Sequence, residues 1–107
     1  MRFIGIALAS AMSLAATAAP AQPLDPAAHG LALVRQNCSA CHAVGRRGPS
    51  PHRAAPPFRT LGRSFDLDEF PQRLVRGLSA MHPDMPEIRF TEDDARDVRA
   101  YLRAIQE

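Results

Sequence analysis

The densest chemistry in this chain lies in five consecutive residues, Cys38-Ser39-Ala40-Cys41-His42. Two thiols at i and i+3 stand one turn apart on the same side of a helix. At that spacing both can bond to the two vinyl groups of a single haem. His42, directly after the second Cys, is then carried beneath the iron, where a ring nitrogen can act as an axial ligand. Other chemistries use the same residue types. A redox dithiol follows a strand in a βαβ unit, and no strand pattern is present. A structural zinc would add two of His29, His42, His52 and His82 to the thiols, but nothing gives a second ligand pair a regular spacing. A plain disulfide would close a tiny loop and constrain little. Covalent attachment of one haem c through Cys38 and Cys41 is the expected chemistry, with these three as the alternatives.

The second axial position needs a donor from later in the chain. Met81 and Met85 are both there, and Pro83 and Pro86 bracket Met85. A residue before proline is driven into an extended conformation, and each proline lowers the entropy of the unbound loop. A weak iron–thioether bond then forms at a smaller ordering cost, which favours Met85 over Met81 or His82. The alternative is that Met85 only packs in the core and the iron keeps five ligands. His/Met ligation favours Fe(II) and raises the reduction potential. With His42 and Met85 both bound, no substrate reaches the metal, which argues for electron transfer and against an enzyme.

Three helical segments must position these groups. The first starts at Asp25-Pro26, a capping residue followed by proline at the first helical position, and runs towards Cys38. From Gly45 to Phe58 the chain holds Pro49, Pro51, Pro56 and Pro57, a density that forbids a helix or a central strand. The second helix is expected to start near Asp68, because Pro71 is tolerated only in a first turn. Leu74, Val75 and Leu78 are its expected buried side. The third opens on Thr91-Glu92-Asp93-Asp94, a cap followed by acids at the positive end of the helix dipole. Ala95, Val98, Tyr101, Leu102 and Ile105 then follow on one face. With no alternating pattern, the fold class is all-α.

At 107 residues the chain has room for one domain, which excludes a doubly wound sheet, a barrel enzyme or a two-domain machine. The N-terminus shortens it further. Met1-Arg2, an apolar run to Ala19 and the small-x-small site Ala19-Pro20-Ala21 are expected to be a signal peptide over 1–21 that is cleaved on export; an uncleaved anchor is the alternative. The remaining domain, 22–107, is of a size that buries only about 60–65% of its unfolded surface. Five aromatics are left to fill its core, Phe58, Phe65, Phe70, Phe90 and Tyr101, so a cofactor must help.

The sequence resembles the small bacterial class I cytochromes c over Asp25 to Gln106. The resemblance rests on Cys38-Ser39-Ala40-Cys41-His42, Ala55-Pro56-Pro57-Phe58, His82-Pro83-Asp84-Met85-Pro86 and Tyr101-Leu102, in the family's order. It implies a cytochrome c fold, with the first and last helices crossing and one haem filling the core. It also implies a close approach of Gly30 to Tyr101, and a Met-Pro ligand at Met85. A proline carbonyl after the attachment motif would support the His42 ring, which points to Pro49 or Pro51. One or two of Arg46, Arg47, Arg53 and Arg59 are candidates to pair with haem propionates, against the simpler reading of exposed Arg. His29 and His52 read as surface histidines.

All 13 basic residues are Arg, against 11 acids, for a net charge of +2. That balance excludes nucleic acid as a partner. Residues 46–76 carry seven Arg against three acids, while 84–107 carry four Arg against seven acids. Such a dipole suits transient docking with redox partner proteins, where complementary fields raise the encounter rate. The expected function is a monomeric periplasmic electron carrier without stable membrane insertion. The alternatives are the haem subunit of a periplasmic oxidoreductase complex and a haem gas sensor with a labile sixth ligand.

Overall fold

Asp25 caps the first helix as its position before Pro26 suggests, its carboxylate accepting the Ala28 N–H at 3.2 Å. This helix, α1, spans Pro26–Asn37. It ends where Cys38 leaves helical geometry, and the Cys38 N–H still reaches the Val34 carbonyl at 2.8 Å. The computed structural model describes residues 1, 5, 9–19, 25–78 and 82–107. The expected leader over 1–21, its cut at Ala19-Pro20-Ala21 and the domain start at 22 fall partly on positions outside the described residues, and Met81 lies outside them too. Among the described residues no helix is long and apolar enough to cross a membrane.

The last helix, α3, spans Glu92–Ile105, with Thr91 accepting the Asp94 N–H at 3.2 Å and three acids in its first turn. Ala95, Val98, Tyr101, Leu102 and Ile105 are all buried, as their spacing predicts. α1 crosses α3 at Gly30. A Cβ built there would lie 2.0 Å from the Asp97 carbonyl oxygen and 3.0 Å from the Tyr101 Cβ. Only a residue with no side chain permits that approach. His29 fastens the crossing, its Nδ1 lying 2.7 Å from Asp97 Oδ2. His29, read as a surface histidine, is one-third exposed and also pairs across the crossing.

α2 spans Phe70–Arg76 and carries Pro71 in its first turn, two residues later than the Asp68 start expected. Asp68 instead sits in the preceding turn, where Arg103 of α3 pairs with it. Phe70 and Leu74 enter the core. Gly77 (φ 102°) ends the helix, so Leu78 does not extend its buried side. Leu78 pairs instead with Ile88 in an isolated antiparallel bridge (N···O 2.9 and 3.3 Å). That bridge closes the base of the segment holding Met85. A 3-10 helix over Phe58–Arg63, not foreseen, buries Phe58 and Leu61. Gln106 stitches it to the C-terminus, donating to the Phe58 carbonyl and accepting the Gly62 N–H. The buried residues of these four elements form one apolar cluster, with Cys38 packed at its edge. The described residues are all-α, as expected.

Candidate haem site

Cys38, Cys41 and His42 occupy a turn that continues directly from α1. The Cys41 and His42 amides both donate to the Cys38 carbonyl, at 3.3 and 2.9 Å. One carbonyl thus folds both thiols and the imidazole into a single turn. Both thiols are free and half-buried. Burial pushes the Cys38 thiol up to about 11, so as a free thiol it stays neutral at physiological pH.

The segment after His42 closes back over this turn. The His52 N–H donates to the Cys41 carbonyl at 3.0 Å, and the Ala43 N–H donates to Ser50 Oγ at 2.9 Å. Residues 50–52 are therefore engaged by the backbone on either side of His42. Its ring is held from elsewhere: His42 Nδ1 lies 2.8 Å from the Pro56 carbonyl oxygen. This corrects the expectation of Pro49 or Pro51. Pro57 is extended (φ −67°, ψ 141°) and caps the 3-10 helix that follows, so the Pro56 carbonyl lies outside that helix and is left to accept from the ring. The Phe58 N–H returns to the Ala43 carbonyl at 2.9 Å and sets the Phe58 ring 4.8 Å from that of His42. A carbonyl only accepts, so Nδ1 carries the proton and Nε2 keeps its lone pair.

Met85 lies half-buried at the end of a turn, its N–H donating to the His82 carbonyl at 3.1 Å with Pro83 second in the turn. Proline presets the φ that position needs. The Asp84 carboxylate reaches His52 Nε2 at 3.1 Å. His52, read as a surface histidine, thus connects the Met85 turn to the segment that covers Cys41. Of the Arg candidates, Arg46 donates to the Ala104 carbonyl at 3.0 Å and Arg59 to the Gly48 carbonyl at 2.8 Å. The Pro56, Phe58 and His52 contacts all join segments distant in sequence, and the adjacent prolines at 56 and 57 are the one local signal that could have pointed to any of them.

Two neighbouring thiols and an imidazole with one nitrogen already committed form a donor set that fits haem c. The comparisons with known proteins agree. A cytochrome c-552 of Bradyrhizobium diazoefficiens is 28% identical over 95 residues, covering 89% of this chain and 88% of the relative. No solved structure matches. The family model described as cytochrome c oxidase, cbb3-type, subunit III matches residues 25–102. The chain accordingly belongs to that family of c-type cytochrome domains, which carry covalently bound haem c and transfer electrons.

Proposed function

We propose that this protein is an exported, periplasmic one-electron carrier, with 1–21 removed as a leader and 22–107 holding a single haem c through Cys38 and Cys41. His42 and Met85 are the residues that would bind its iron. The observation that carries the reading is the His42 ring: with Nδ1–H given to the Pro56 carbonyl, Nε2 is the nitrogen left to bind a metal, one residue after the second of two adjacent thiols. Haem c supplies a one-electron iron couple when bound.

The chain's own residues do the rest. Cys38 and Cys41 retain the group covalently in a domain with a small core. The Pro56 carbonyl sets the tautomer and rotation of His42 and strengthens it as a donor. Pro83 and Pro86 limit the freedom of the Met85 turn. With both His42 and Met85 bound to it, the iron would have no position left for a substrate, which suits electron transfer rather than catalysis. The exposed Arg46 and Arg47 lie in the basic middle of the sequence and offer a docking face for an acidic redox partner.

The test is to purify the exported protein and weigh it under denaturing conditions. The expected mass is that of a chain starting at residue 22 plus one haem, and Cys38→Ala with Cys41→Ala should abolish the addition. A colourless protein with two free thiols would contradict the reading. A second reading, the haem subunit of a larger oxidoreductase, is favoured by the matched family being described as an oxidase subunit. Size-exclusion of the native extract separates the two: a stable large complex favours the subunit, a monomer the carrier.

A further inference from the structure

His52, His82 and Asp84 stand apart from the iron-ligand set and converge on one another. We propose that these three side chains form a surface site for a divalent transition-metal cation of the Zn²⁺ type. One ligand atom from each lies within 4.8 Å of the other two. Asp84 Oδ2 is 3.1 Å from His52 Nε2 and 3.9 Å from His82 Nδ1. Ligand atoms on a tetrahedral zinc at about 2.0–2.1 Å are themselves about 3.3–3.4 Å apart, so small side-chain rotations close the set. The two imidazole rings are already splayed edge to face, with centroids 5.4 Å apart.

The chemistry of the set selects the ion. Two imidazoles and one carboxylate suit zinc or copper, whereas magnesium and calcium prefer oxygen alone. The side chains are 34%, 43% and 65% exposed, so a cation can enter and keep a water as its fourth ligand. Binding through His52 Nε2 moves that ring's proton to Nδ1, which now accepts the Ala54 N–H at 3.1 Å. Ala54 is exposed, so its amide can turn to water, and so can the exposed Asp84 amide, which lies 3.2 Å from His82 Nδ1 and must give way to a cation there.

The site joins two segments that are otherwise distant in sequence. The His52 amide bonds the Cys41 carbonyl, while Asp84 directly precedes Met85. A cation held there pins the Met85 turn against the attachment turn. That consequence rests on the haem reading above; the binding itself does not.

Calorimetric titration of the haem-loaded protein with Zn²⁺, and separately with Mg²⁺, tests the proposal. The expected result is one saturable zinc site and no magnesium binding, with His52→Ala and His82→Ala each weakening zinc at least tenfold. Zinc should also raise the thermal midpoint of the wild type and leave that of His52→Ala unmoved. No saturable zinc binding, or binding that either single variant leaves intact, overturns it. Because the readout is zinc heat and not the iron spectrum, its failure is distinguishable from a failure of the Met85 assignment.

Discussion

At the scale of single residues, Tyr101 joins the helix crossing to the chain that follows the attachment turn. Its ring is buried beside Gly30, and its hydroxyl donates to the Val44 carbonyl at 2.5 Å. Burial raises the phenol above its ordinary value, with Arg35 and Arg46 pulling more weakly the other way. The unfolded chain therefore releases the phenol proton first as pH rises. The phenol's contribution is intact below the unfolded value near 10 and is lost as pH climbs towards the folded one. No lysine or second tyrosine titrates in that range, and Cys38, once a thioether, does not either. Urea unfolding of the haem-loaded protein should show stability falling as pH rises past the unfolded tyrosine value near 10, with Tyr101→Phe flattening the fall. Tyr101→Phe should also cost about 1 kcal/mol at neutral pH through the lost hydrogen bond. Parallel pH profiles for the two proteins would contradict the assignment.

At the scale of elements, the α1–α3 crossing is the joint on which the site depends, since α1 leads into Cys38 and α3 buries five side chains beside it. Gly30→Ala would drive a methyl into the Asp97 backbone, which cannot yield as a flexible side chain would. The expected cost is about 3 kcal/mol or more, read as a lowered urea midpoint; a midpoint within error of wild type would mean that the helices cross elsewhere. Much of this level was legible in sequence, because it is local. Asp25-Pro26, Pro71, Thr91 and the α3 apolar face each announce a boundary or a face within one or two turns. The missed features are long-range. The 3-10 helix at Phe58–Arg63 is held by Gln106 and Glu107 from the far end of the chain. The carbonyl that orients His42 comes from Pro56, fourteen residues on, where the Phe58 N–H returns to the Ala43 carbonyl. Leu78 continues the apolar spacing of α2, but Gly77 turns it out of the helix to pair with Ile88.

At the scale of the molecule, the charge map and the proposed ligand set together support the reading of a carrier. Seven Arg lie between 46 and 76, while residues 84–107 carry seven acids against four Arg. Replacing Arg46 and Arg47 with Glu should slow electron exchange with an acidic partner at low salt, with the difference fading as ionic strength rises. A salt-independent or unchanged rate would place the docking face elsewhere. The attachment motif was readable from five residues because its chemistry is local. The folding of the Met85 turn onto His52 was not, because it depends on contacts between loops. The central claim is that His42 and Met85 occupy both axial positions, and the absorption spectrum of the oxidised protein beside that of Met85→Ala tests it most directly. The account predicts a methionine–iron charge-transfer band in the wild type that vanishes in Met85→Ala, with carbon monoxide binding only to the reduced variant. A band that survives the substitution, or a reduced wild type that binds carbon monoxide freely, would contradict it.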